Sequence, residues 1–147
     1  EKMIIETKSA QETFEAGKRI GEYARQGQIY TLTGDLGTGK TVFTQGVAAG
    51  LGITEPVNSP TFTIIQEYDS GRLPLYHFDV YRIGDIEEME EIGYDDYFFG
   101  QGVCLIEWAE LIDEILPDRR IRITIEKNPE KGYDYRKITI EGLDEEL

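Results

Sequence analysis

Eight residues, Gly34-Asp35-Leu36-Gly37-Thr38-Gly39-Lys40-Thr41, restrict this chain more than any others. They satisfy the spacing G-x-x-x-x-G-K-[ST]. Before them stands Gln28-Ile29-Tyr30-Thr31-Leu32-Thr33, with the β-branched and aromatic content of a strand. After them, Thr41 to Gly50 carries apolar residues at helical intervals and stops at Gly50-Leu51-Gly52. Strand, glycine-rich loop and helix in that order let the backbone wrap an anion. Glycines allow close approach to phosphate oxygens, and the loop amides with the helix N-terminus supply positive potential. In such a loop Lys40 reaches the β and γ phosphates, and Thr41 sets its hydroxyl on Mg²⁺.

Magnesium at such a loop needs a carboxylate, normally at the end of a neighbouring apolar strand. Two segments offer one: Val103-Cys104-Leu105-Ile106-Glu107 and Leu75-Tyr76-His77-Phe78-Asp79. Between the loop and these strands, Ser59-Pro60-Thr61-Phe62 places a threonine hydroxyl where a switch segment senses a γ phosphate, although Pro60 also suits an ordinary strand start. His77 reads as a strand histidine, and Trp108 as a packing residue set apart only by following Glu107. No N-K-x-D segment accompanies the loop, so adenine is the expected base.

The remaining pattern is that of one α/β domain over residues 1–147. Ser9 to Arg25 reads as a helix, with Ser9 as N-cap and Glu12 three residues on. Thr61–Ile65 and Leu75–Phe78 read as a hairpin about Asp69-Ser70-Gly71. Asp85 to Asp96, acidic with Ile86, Met89 and Ile92 at three-residue steps, reads as one helix, and Ala109 to Leu116 as a short one before Pro117. Ile123-Thr124-Ile125-Glu126 and Ile138-Thr139-Ile140-Glu141 read as a terminal hairpin.

Twenty-nine acidic against 15 basic residues give a net charge of −14, which disfavours broad nucleic-acid binding and suits a partner with a basic face. A lone Cys104 in an apolar run forms no internal disulfide, and one histidine beside one cysteine leaves no zinc cluster. With no run of about 20 apolar residues to span a bilayer and no signal-peptide pattern at Glu1–Ile5, the expected compartment is the cytoplasm.

Four motifs now stand in order: Gly34 to Thr41, Ser59-Pro60-Thr61-Phe62, His77-Phe78-Asp79-Val80-Tyr81-Arg82, and Glu107-Trp108. Together with Leu116-Pro117-Asp118 they resemble the TsaE family, formerly YjeE, over nearly the whole chain. These are the small bacterial P-loop ATPases required to make threonylcarbamoyladenosine in tRNA. The resemblance implies a three-layer P-loop NTPase-like fold with a mixed parallel and antiparallel sheet flanked by helices. It implies ATP held by Gly34 to Val42, and Mg²⁺ held by Thr41 and Glu107. Lys40 matches the phosphate lysine, Asp79 an aspartate important for hydrolysis, Thr61 the switch threonine and Trp108 a tryptophan beside the nucleotide. The helix around Gln11 to Thr13 matches base-contacting residues.

As partners the resemblance implies TsaD and TsaB. TsaD carries the transferase site for adenosine 37 of tRNAs reading codons that begin with A, so tRNA contact by this chain is indirect or transient. Thr38 and Val42 depart from the alanine and threonine common in the family. A small-molecule kinase and a nucleotide sensor remain alternatives to a partner-dependent ATPase. The first is disfavoured by the lack of an arginine-rich lid, and the second is separated only by turnover.

Overall fold

A computed structural model describes residues 2–35, 37–58 and 63–144. Strands β1 (Lys2–Thr7), β2 (Ile29–Thr33), β3 (Ile65–Tyr68), β4 (Leu75–Asp79), β5 (Val103–Glu107), β6 (Ile121–Lys127) and β7 (Arg136–Glu141) form one sheet in the order β1-β7-β6-β2-β5-β4-β3. Its centre, β6-β2-β5-β4, is parallel; β7 and β1 extend one side and β3 the other by antiparallel pairing.

Helices flank both faces. Alternation along buried β5 sends Val103 and Leu105 to one side and Cys104 and Ile106 to the other. Leu105 packs with Ile20 of α1 (Ala10–Tyr23) and with Phe43 and Val47 of α2 (Lys40–Gly50). Ile106 packs with Met89 of α3 (Ile86–Ile92), Phe98 of α4 (Tyr94–Phe98) and Ile112. The mixed three-layer α/β architecture is therefore the one expected. No helix among the described residues is long and apolar enough to cross a membrane.

The start of α1 is fixed as its sequence suggests. Ser9 Oγ accepts the Glu12 N–H at 3.1 Å, and the Glu12 carboxylate reaches back to accept the Lys8 N–H at 2.8 Å. Helices α1 and α2 then meet backbone to backbone: a Cβ on Gly17 would collide with the Phe43 carbonyl, and one on Gly46 with the Phe14 carbonyl. That close crossing sets the height of α2, and hence of Lys40 and Thr41, above the sheet.

Several expected elements differ. The first strand of this hairpin is Ile65–Tyr68, its register running from Ile65 opposite Phe78 to Tyr68 opposite Leu75; of the strand read over Thr61–Ile65, Thr63 and Ile64 precede it, and Thr61 and Phe62 lie outside the described residues. The Asp85–Asp96 helix is two helices, since Gly93 adopts φ +80° and closes α3 as a left-handed cap. Ala109–Ile115 is a 3₁₀ segment broken at Ile112 (φ −125°). Strand β1 is not read from the sequence; its alternation is short, turning inward only Met3 and Ile5 as apolar residues, with the polar Thr7 buried beside Thr13. The terminal hairpin pairs Ile123 with Ile140 and Ile125 with Ile138, as the repeated pattern requires.

Candidate functional site

The loop after β2 owes its shape to its smallest residues and to one threonine. Gly37 (φ +78°) and Gly39 (φ +96°) hold left-handed conformations, and Gly39 caps α2 with its carbonyl accepting the Phe43 N–H at 2.9 Å. Buried Thr38 closes the turn: its Oγ1 and its N–H both donate to the Asp35 carbonyl, at 2.8 and 3.2 Å. Gly34 lies so near that a Cβ there would approach Thr38 Oγ1 to 2.6 Å.

Above this loop opens a cleft of about 530 Å³, whose floor is Gly37, Thr38, Gly39, Lys40, Thr41 and Val42. One wall carries Asp79, Glu107 and Trp108 from the ends of β4 and β5. The parallel register that sets Asp79 beside Glu107 brings both candidate carboxylates to the cleft. The opposite wall is Ala10, Thr13, Asp134 and Arg136.

Glu107 is tied at both oxygens. His77 Nε2 donates to Oε2 at 2.8 Å, since a carboxylate only accepts, and Lys40 Nζ stands 3.6 Å from Oε1. Burial acts to raise the Glu107 pKa, but the hydrogen bond and attraction of His77 and the Lys40 ammonium outweigh it, and the net shift is downward. His77 Nδ1 is buried with no hydrogen-bond partner among the described residues. Asp79 Oδ1 accepts the Tyr81 N–H at 3.1 Å, turning the chain at the lip.

Trp108 is the one non-glycine residue at positive φ (+64°) among the described residues, a conformation costing on the order of 1–3 kcal/mol. It is 40 % exposed, its ring lies 4.7 Å from that of Tyr81, and Lys40 Nζ stands 5.5 Å from its centroid.

The other expected site residues are placed less centrally. Gln11 is on the first turn of α1, where its Nε2 donates to Glu15 Oε1 at 2.8 Å; its neighbours Ala10 and Thr13, not Gln11, line the cleft. Gly34 and Asp35 shape the loop from behind rather than lining it. Leu36 and the Ser59–Phe62 segment with Thr61 lie outside the described residues. Thr13, at the end of the Gln11–Thr13 stretch expected near the base, does line the cleft, whereas sequence reasoning missed Asp134 and Arg136. No local motif marks these two; they arrive through the β6–β7 pairing.

The donor set suits a hard cation. Among the described residues no group of three or more His, Cys, Asp or Glu is arranged to hold a metal. Magnesium needs only one or two protein oxygens beside phosphate and water, and Thr41, Asp79 and Glu107 offer oxygens in the same cleft.

Comparison with known proteins agrees with this layout. The family described as "Threonylcarbamoyl adenosine biosynthesis protein TsaE" matches residues 7–138. The tRNA threonylcarbamoyladenosine biosynthesis protein TsaE of Bacillus subtilis is 56 % identical over 137 residues, covering 93 % of this chain and 84 % of the relative. That of Treponema pallidum is 43 % identical, covering 81 % and 87 %. The crystal structure of Bacillus subtilis YdiB superposes with a TM-score of 0.80 at 47 % identity, covering 95 % of this chain and 84 % of that one. With fold, motif order and sequence in agreement along almost its whole length, this chain belongs to the TsaE family.

Proposed function

We propose that the chain binds ATP with Mg²⁺ at the Gly34–Thr41 loop, hydrolyses its terminal phosphate bond, and thereby resets TsaD and TsaB as they form threonylcarbamoyladenosine on tRNA. The observation that carries this reading is the convergence of Lys40, Thr41, Asp79 and Glu107 on one cleft over the loop.

On this reading Lys40 exchanges its 3.6 Å ion pair with Glu107 for the β and γ phosphates. Glu107, released from Lys40 but still held by His77, would hold the magnesium together with the Thr41 hydroxyl, both residues lining the same cleft. The cation supplies positive charge against the phosphate oxygens. Either Asp79, beside Glu107 in register, or Thr61 accepts a hydrogen bond from the attacking water and aligns it with the terminal phosphorus. Water oxygen bonds to phosphorus, the bridging bond breaks, ADP departs with the electron pair, and the water's proton passes to the phosphate so formed or to solvent. Loop amides and Lys40 stabilise the charge that develops.

The output is conformational. Loss of the terminal phosphate releases Lys40 back to Glu107 and moves the segments around Thr61 and Asp79, altering what TsaD and TsaB meet. The −14 net charge favours a basic face on those partners and leaves tRNA contact indirect, within the cytoplasm.

Phosphate release from ATP and Mg²⁺ tests the reading, with the chain alone and with purified TsaD and TsaB, and with Lys40→Ala as control. Slow release alone, clear stimulation by the pair and loss in Lys40→Ala are expected. Undiminished release by Lys40→Ala would overturn it.

A further inference from the structure

Arg136 opens β7, far along the chain from the loop, yet its guanidinium donates to that loop. Nε donates to the Thr38 carbonyl at 2.7 Å and Nη2 to the Gly37 carbonyl at 3.3 Å. Its Nη1 donates to the carbonyls of Tyr133 and Tyr135 at 2.9 and 2.7 Å. Each of these acceptors is neutral, and Arg136 has no carboxylate partner among the described residues. The side chain also lines the cleft.

We propose that Arg136 is a positioning residue that braces the Gly34–Thr41 loop from the β6–β7 hairpin and keeps it preorganised for a phosphate chain; the ligand part of this inference rests on the nucleotide reading above. Gly37 and Gly39 give the loop the conformations it needs and also the freedom to leave them. Fixing the Thr38 carbonyl fixes the whole planar peptide, so the Gly39 N–H is directed opposite to Arg136. Fixing the Gly37 carbonyl does the same for the preceding peptide plane. The anchor is rigid because Arg136 pairs with Lys127 on one side and Thr7 on the other. A loop held this way loses less conformational entropy on binding. The guanidinium charge, which meets no carboxylate among the described residues, also adds attraction for an anion in a chain of net charge −14. Lysine cannot substitute, because an ammonium is a point donor without the planar fork that reaches both segments.

Calorimetric titration with Mg²⁺ and a non-hydrolysable ATP analogue tests this on the wild type, Arg136→Lys and Arg136→Met. Arg120→Met serves as control, because Arg120 pairs with Asp113 at 2.7 Å and neither lines the cleft. Both Arg136 variants are expected to bind about tenfold more weakly or worse at unchanged stoichiometry, with Arg120→Met like the wild type. A merely structural role would lower the binding-competent fraction and leave Kd of the remainder unchanged, and that result overturns the proposal. Arg136→Lys keeps the charge and the aliphatic stem, so it decides the matter if the methionine variant does not fold. Amide exchange separates the two layers of the claim. The brace predicts faster exchange at Thr38 and Gly39 in Arg136→Lys without any nucleotide. Equal rates refute the brace even where the wild type binds, whereas a wild type that binds nothing refutes only the nucleotide reading.

Discussion

Replacing Gly17 by alanine pits a local gain against a tertiary loss. Within a helix interior, alanine is favoured over glycine by about 1 kcal/mol. Here, however, the added Cβ would meet the Phe43 carbonyl, with Val47 N at 3.1 Å, and backbone has no rotamer by which to yield. The two helices must separate, loosening the packing of Ile20, Phe43, Val47 and Leu51, all at most 1 % exposed. Overpacking of a tight interface costs about 1–3 kcal/mol, and more where only backbone can move. Set against the gain of about 1 kcal/mol, the upper part of that range leaves a net destabilisation of about 1–2 kcal/mol, which for a chain of this size lowers Tm by about 3–6 °C. Because α2 carries Lys40 and Thr41, the shift also weakens nucleotide binding. Thermal unfolding followed by circular dichroism measures the first effect, with Glu22→Ala on the exposed face of α1 reporting helix propensity and the relief of an acidic side chain in its last turn, without any helix–helix clash. If Gly17→Ala raises Tm as the control does, the helices do not touch there and the reasoning fails.

Three further outcomes are expected. Cys104, whose pKa burial pushes up to about 12, holds its proton throughout the neutral and mildly alkaline range, so a thiol reagent at pH 8 should label it only after urea unfolds the chain; rapid labelling of the native protein contradicts this. His77→Phe should cost about 1–3 kcal/mol, because buried Glu107 loses its 2.8 Å donor, and the cost should shrink in a Glu107→Leu background; equal costs in both would show that the pair is not coupled. Ser9→Ala should lower stability by about 1 kcal/mol by removing the α1 cap, read from urea midpoints, and no change would argue against the cap.

What the sequence reveals and what it hides follow from the range of the interactions. The Gly34–Thr41 spacing, the strand before it and the helix after it are local patterns, and all three appear where they are read. Glu107 is legible because four apolar residues ending in an acid describe a buried parallel strand opening on a crevice. Gly93 was readable as a breaker, but the three-residue apolar stripe obscured it. Thr38 stands out in the sequence only as a departure from the family's common alanine, whereas its hydroxyl closes the loop turn, an interaction visible only once Asp35 is folded over it. Arg136 could not be found at all: its relation to Gly37 and Thr38 exists only after β7 has paired with β6 and β6 with β2.

Tryptophan fluorescence tests the central claim most directly, because Trp108 is the only tryptophan and Lys40 Nζ lies 5.5 Å from its ring. Titrating ATP with Mg²⁺ draws Lys40 toward phosphate and changes the field at the indole. A saturable change in Trp108 emission is predicted for the wild type, absent from Lys40→Ala at the same nucleotide concentrations. A wild type that shows no binding by this signal or by calorimetry, or a Lys40→Ala variant that responds with the same midpoint, would contradict the account.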